Sequence, residues 1–378
     1  MSRRAKLAYV SDLSLQASGG GSYAVNWHAC RQLQRSFDVV YAGPVKPVPG
    51  RWSNLASRIR RRVLHMPGKF AYFSPGTLNS NAVKVGALVP PGVEAIVFRS
   101  AARWCRFRPH VPYFVYLDAV FHTFFYNTFD ARDFVRGDLE RIWEEEARFL
   151  EGAAGVFFES QWGLDRAKEA YQLKGEHYCA VGRGGVIAPP ESDSWDGHSL
   201  RLITLAMKFR QKGGDLVLEA YRRLKPEFPQ LTWHIIGGSP EGDWQSLEGI
   251  TYEGVISPDD PAGRRHLTDL LSNAFLLVHP TREDVNPLVP TEAAYFGCPC
   301  ISVNKFALPE IVRHNDTGLL LEPPVTAEMV ESAIRHLLVN PEVYREMRIN
   351  SRAYALEYSG WDQIGARITS RINEVLVG

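Results

Sequence analysis

Three short segments carry residues whose types and spacing could do chemistry. The richest is Pro280 to Glu292, PTREDVNPLVPTE. An apolar run ends at His279, a polar loop with Glu283, Asp284 and Asn286 comes next, and a helical pattern begins near Leu288. Asp284 and Glu292 stand eight positions apart, which sets one carboxylate at the loop mouth and the other a turn inside the helix. Ionised carboxylates only accept hydrogen bonds, so each can grip a pair of vicinal hydroxyls. The helix start between them offers amides and a positive dipole end to a diphosphate. Pro287 has no N–H to give, so those backbone contacts fall to Asn286 and Leu288. A solvated acidic loop capping a helix would use the same residues.

The second segment is Met207 to Asp215, MKFRQKGGD. Lys208, Arg210 and Lys212 are cations suited to phosphate, and Gly213-Gly214 lets backbone approach a ligand closely. An exposed basic turn capped by Asp215 is the simpler alternative. The third is Ser18 to Ser22, SGGGS, where amides around Gly20 and Gly21 could wrap phosphate or sugar oxygens. It is not the G-x-G-x-x-G pattern, and a tight turn explains it equally well.

The elements that must position these segments can be read from the apolar runs. Lys6–Val10, Phe37–Tyr41, Ala95–Phe98, Tyr113–Leu117 and Gly155–Glu159 read as strands, with a helix through Leu33 and another over Leu139–Leu150. Gly182 to Asp196, GRGGVIAPPESDSWD, is rich in Gly, Pro, Ser and Asp and reads as an interdomain linker. The rhythm then restarts: strands at 202–206, 232–236, 250–252, 274–278 and 300–303, helices at 215–224, 264–271 and 290–296, and a mostly helical end. The expected fold class is α/β, with two Rossmann-like domains facing each other across a cleft.

Composition narrows the function. Of 378 residues, 45% are hydrophobic and 22% charged, the balance of a globular protein in water. A net charge of +1 argues against a nucleic-acid coat. The five cysteines form no C-x-x-C pair, so no zinc site is expected and a reducing, cytoplasmic setting fits. No run is long and apolar enough to span a membrane, and the N-terminal apolar run is too short for a signal peptide.

Taken in order, the segments resemble glycosyltransferase family 4, the retaining GT-B enzymes also grouped as glycosyl transferases group 1. The counterparts are Lys212-Gly213, Asp284 to Glu292 in place of E-x7-E, and Glu292-Ala293 with Gly297 and Pro299. Leu308-Pro309-Glu310-Ile311-Val312, Thr317-Gly318-Leu319-Leu320 and Ser359-Gly360-Trp361 match later motifs. The chain departs from the family in having Asp284 for the first Glu, Met207 for an Arg, and Pro287. The resemblance implies an N-terminal acceptor domain over 1–185 and a nucleotide-sugar domain over 186–359. It also implies a last helix, about 360–378, packed back on the first domain.

It further implies transfer of a sugar from a nucleotide diphosphate to an acceptor hydroxyl with retention, in polysaccharide, glycolipid or other glycoconjugate synthesis. Arg210 and Lys212 would stabilise the departing diphosphate, Asp284 would hold the sugar hydroxyls, and Glu292 the ribose. Asp118 falls where the family has its catalytic-centre His, and His122 is a candidate acceptor contact. No D-x-D triplet occurs, so metal independence is expected, with no cofactor besides the donor.

The resemblance implies a glycan or lipid-linked acceptor. Within 51–69, Arg58, Arg60, Arg61 and Arg62 accompany Trp52, Leu55, Ile59 and Val63 at helical spacing, which suits an anionic membrane's inner face. Arg103, Trp104, Arg106, Phe107 and Arg108 form a second basic-aromatic run. Two other classes remain open: a nucleotide-sugar epimerase of the same fold, and a catalytically lapsed scaffold.

Overall fold

The structure, a computed structural model, describes residues 3–16, 20–49 and 51–377, and for 51–53 the backbone alone. The chain divides into two compact units, Met1–Arg183 with Trp361–Gly378, and Gly184–Gly360.

The first unit runs β1 (Lys6–Val10), α1 (Gly21–Ser36), β2 (Asp38–Ala42), α2 (Arg51–Arg62), α3 (Pro75–Leu88), β3 (Ala95–Arg99) and β4 (Tyr113–Leu117). It continues with α4 (Phe121–Thr128), α5 (Arg136–Glu151), β5 (Gly155–Phe158), α6 (Gln161–Tyr171) and β6 (Tyr178–Ala180). Its strands form one parallel sheet in the order β2-β1-β3-β4-β5-β6. Strands buried on both faces read as unbroken apolar runs, which is why YFVYL and GVFF were legible. Trp104, Phe98 and Phe149 sit in the core beneath.

The second unit runs β7 (Arg201–Ala206), α7 (Gly214–Leu224), β8 (Thr232–Gly237), β9 (Ile250–Gly254), α8 (Pro261–Ser272) and β10 (Ala274–His279). Then come α9 (Val289–Tyr295), β11 (Cys300–Val303), α10 (Leu308–Ile311), β12 (Gly318–Leu321), α11 (Ala327–Val339) and α12 (Pro341–Tyr358). The sheet order is β9-β8-β7-β10-β11-β12, again all parallel. Counted from β7 this is the doubly wound 3-2-1-4-5-6 order. Its direction reverses between β7 and β10, where such sheets bind ligands beyond the strands' carboxyl ends.

The last helix, α13 (Trp361–Val377), belongs to the first unit and packs on α1. Trp361 stacks on His28 at 5.0 Å, Asp362 pairs with Arg35, and a side chain at Gly365 would collide with Gln32.

The segment read as a linker differs from expectation. The second unit begins at Gly184, and the stretch from there to Asp193 is a strap fastened onto that unit. The Val186 N–H donates to Glu292 at 2.7 Å, Arg352 donates to the Pro190 carbonyl, and Arg348 makes a bidentate pair with Asp193 at 2.6 Å. Gly, Pro and Ser mark irregular backbone, but irregular backbone can be tied down by side chains distant in sequence.

Candidate functional site

The loops after β7 and β10 meet because they are stitched together. Gly213, at φ +79, caps α7 in the left-handed region, and a Cβ there would strike the Pro280 carbonyl. The Lys-Gly step therefore needs glycine for both conformation and close approach. The Arg282 N–H donates to the Gln211 carbonyl at 2.9 Å, and the Arg282 guanidinium forks onto Asp215 at 2.7 and 2.9 Å.

This stitching brings Lys212 Nζ onto Asp284 Oδ2, with each side chain 24% exposed. The Thr281 hydroxyl accepts from the Asp284 N–H at 3.2 Å and fixes the turn. Desolvation pushes the Asp284 carboxyl up, but the His279 ring and the Lys212 ammonium outweigh it and hold it down at about 2. Asp284 is therefore a carboxylate across the physiological range. Lys208 and Arg210 are exposed in the same loop, and Asn286 and Leu288 are half-buried beside α9.

Glu292 is buried within α9, where its Oε1 accepts from the Val186 N–H. The helix is seven residues long, and Pro290 in its first turn has no N–H to offer. The expected row of amides at this helix start is therefore thinner than the sequence suggested.

In the first unit, Gly20 caps α1 at φ +92, and Gly21 begins the helix. Ser18 and Gly19 lie outside the described residues. A cavity of about 350 Å³ lies at the carboxyl ends of β1, β3 and β4, the switch point of this sheet. Asp118, one residue past β4, lines it together with Asp12, Ser100, Arg103 and Phe124. Arg103 Nε is 3.1 Å from Asp12, and its Nη1 donates to the Ser100 hydroxyl at 3.2 Å. Ser100 itself is held at φ 67, a left-handed conformation that non-glycine residues rarely adopt.

Two buried carboxylates support the cavity, and no sequence signal announced them. Glu146 on α5 accepts from the Phe121 N–H at 2.7 Å, the Tyr171 hydroxyl at 2.6 Å and the Ala102 amide. It thus ties the loops after β3 and β4 to one helix. Burial outweighs these bonds and pushes its carboxyl up to about 7. Glu159, wholly buried, pairs with Arg99 and, at 3.1 Å, with Arg183.

The structure sets His122 apart from this cavity. Its ring packs against Tyr126 at 4.7 Å and Trp143 at 4.9 Å, and burial lowers its pKa. The basic-aromatic run also splits. Trp104 is core, Arg106 is bound to Glu145 at 2.6 and 2.8 Å, and Arg103 alone reaches the cavity. Among the described residues no cluster of three His, Cys, Asp or Glu side chains is arranged to hold a metal ion. Among them, too, no helix is long and apolar enough to cross a membrane.

Two parallel doubly wound units define an α/β protein of the GT-B class. Solved structures agree over nearly the whole length. Sucrose-phosphate synthase from Thermosynechococcus elongatus superposes with a TM-score of 0.70 at 16% identity, covering 99% of this chain and 100% of that one. Anabaena HepE in complex with UDP gives 0.65 at 14% identity, covering 98% and 100%. At these identities the likeness concerns the fold.

Residues 192–354, within the second unit, match the model of the family Glycosyl transferases group 1. A GDP-mannose-dependent alpha-(1-6)-phosphatidylinositol monomannoside mannosyltransferase of Mycobacterium tuberculosis is 25% identical over 185 residues. That match covers 46% of this chain and 47% of that protein. The chain spans about half the length of the curated relatives it matches, 44% and 47% for the first two.

Proposed function

We propose that the protein is a retaining glycosyltransferase that moves a sugar from a nucleotide-diphosphate donor to an acceptor hydroxyl in glycoconjugate synthesis. The observation that carries this reading is the Lys212–Asp284 pair at the β7/β10 switch point, with Lys208 and Arg210 exposed beside it. Cations and a carboxylate in one small site suit a ligand that is part diphosphate and part polyol.

In this mechanism the bond from the anomeric carbon to the diphosphate oxygen breaks, and negative charge grows on the diphosphate. Lys212 and Arg210 stabilise that charge as it develops. Asp284 accepts from the sugar hydroxyls and Glu292 from the ribose. The acceptor oxygen bonds the anomeric carbon on the face the diphosphate leaves, and its proton passes to the leaving diphosphate. No metal ion is required in this scheme, because fixed cations supply the charge.

The first-unit cavity is the proposed acceptor site. Asp118, Asp12 and Arg103 offer hydrogen bonds to hydroxyls, and Phe124 offers an apolar ring face. The amphipathic α2 supports a peripheral contact with a cytoplasmic membrane face. Leu55, Ile59, Val63 and Met66 are exposed beside Arg58, Arg60 and Arg62. Co-sedimentation with anionic vesicles at low salt tests that contact, and no binding would remove it.

Thermal stability against UDP, GDP, ADP, dTDP and CDP, with and without EDTA, tests the reading. A nucleotide at ~100 times its Kd should stabilise the protein by ~2.7 kcal/mol. The expected result is one nucleotide shifting the melt regardless of EDTA. No shift with any of them would favour the non-catalytic scaffold instead.

A further inference from the structure

We propose that His279 is a positioning residue that acts on the donor through Asp284, an inference that rests on reading this loop pair as the sugar-nucleotide site. His279 is the last residue of β10 and is 0% exposed, so it touches no ligand. The five residues before it, Ala274 to Val278, are all apolar and buried. A histidine that ends such a strand costs stability unless its ring is paired, since buried polar groups are almost always hydrogen-bonded. Among the described residues neither ring nitrogen has a hydrogen-bond partner.

The one carboxylate within ion-pair reach of that ring, among the described residues, is Asp284. Its Oδ2 lies 3.4 Å from His279 Nε2, within reach of a hydrogen bond but not aligned to form one. The Lys212 ammonium meets the same oxygen. Both donors thus converge on Oδ2, which leaves Oδ1 to accept from a ligand hydroxyl.

Lys212 carries two duties in the proposed reaction. Without ligand it holds Asp284, and with a diphosphate bound it is drawn toward phosphate oxygens. Asp284 would then lose its partner at the moment it must hold the sugar. His279 is placed to take over, because a small reorientation of either side chain aligns the pair for a hydrogen bond. Its donor is an imidazole N–H with no other partner to leave. The short aspartate side chain, with few rotamers, needs only this one anchor to keep its orientation.

The test uses the full chain with three ligand pairs: UDP and UDP-glucose, GDP and GDP-mannose, ADP and ADP-glucose. Affinity for each member, release of free sugar, and the melting temperature are measured for wild type, His279→Leu and His279→Gln. A hydrogen bond to a charged group contributes ~1.5 kcal/mol or more, which corresponds to about tenfold in rate. For the pair the wild type binds, His279→Leu is expected to lower kcat for sugar release by about that factor. It should also erase the extra affinity of the sugar nucleotide over its bare diphosphate. Affinity for the diphosphate should stay within about twofold, and the melt should change little, because the lost attraction to Asp284 is offset by removal of a buried polar group that forms no hydrogen bond. His279→Gln, which retains an N–H donor, should recover most of the rate.

Unchanged sugar release in His279→Leu would overturn the proposal. So would a parallel loss of diphosphate affinity, sugar-nucleotide affinity and melting temperature, which is the mark of a purely structural residue. A wild-type chain that binds none of the three pairs would overturn the donor-site reading itself, and this proposal with it.

Discussion

The two candidate sites occupy equivalent places in two similar sheets, yet they are built in opposite ways. The second-unit site comes from two loops, 207–215 and 280–288, stitched directly to each other by Gly213, Arg282 and Asp215. Its chemistry is strongly charged and partly exposed. The first-unit cavity draws on loops after three strands, and buried carboxylates on α5 and at the end of β5 hold it together. Its lining mixes Asp, Arg, Ser and Phe. A site made of adjacent loops can be written into two short motifs. A site made of many loops depends on the interior beneath it, so its mutational weak points should lie away from the ligand.

That contrast can be broken in the first unit through Glu159. Replacing Glu159 with Ala removes the buried carboxylate that Arg99 and Arg183 share, and removal of one partner from a buried pair costs about 3–5 kcal/mol. Urea unfolding should show a loss of that size. A loss under about 1 kcal/mol would mean the cavity does not lean on this triad.

In the second unit the same kind of change should hit activity instead. Asp284→Asn keeps the shape and removes the charge, so transfer should fall by about a hundredfold, while the loss of its pairing with Lys212 costs less stability than the Glu159 change does. Steady-state rates with the donor identified by thermal shift decide it. Equal loss of stability and activity would erase the distinction between the two sites.

Arg103→Ala sharpens the comparison at a smaller scale. It removes a hydrogen-bonding group from the cavity, and acceptor KM should rise by about tenfold while nucleotide affinity is unchanged. A fall in nucleotide affinity would contradict the division of labour between the units.

The mildest effect concerns pH. Burial raises the Glu146 carboxyl from 4.5 to about 7, so the folded state binds a proton that the unfolded state has released. The associated stability is fully present below pH 4.5 and is lost as pH rises through about 7. Glu146→Gln should flatten that decline in a series of melts between those pH values. An identical slope in the variant would show that the carboxylate's three donors keep it ionised throughout.

The strands over 6–10, 113–117 and 300–303 were readable to the residue, because buried parallel strands are continuous apolar runs flanked by polar turns. The helix over α5 begins at Arg136, one turn before the expected Leu139. Asp138 turns inward there to accept from the Phe70 N–H at 2.8 Å, a contact invisible to local patterning. Helices α3 and α6, and the edge strand β6, also left no clear local pattern. Motif order placed Lys212 and Asp284 in one site, but neither their direct pairing nor the partner of Glu292 was legible. That partner is the Val186 amide of a strap that composition had marked as a loose linker.

The sequence by itself determined most of the alternation of strands and helices and the charged residues of loops 207–215 and 280–288. These are local matters of hydrophobic period, turn chemistry and charge, which need no partner from elsewhere in the chain. Only the tertiary structure decided which Arg of the run 103–108 faces the cavity, that His122 packs among aromatic rings, and that His279 lies unpartnered against Asp284. Those outcomes depend on which distant side chains share one buried space, and burial fixes the cost of every unpaired polar group there.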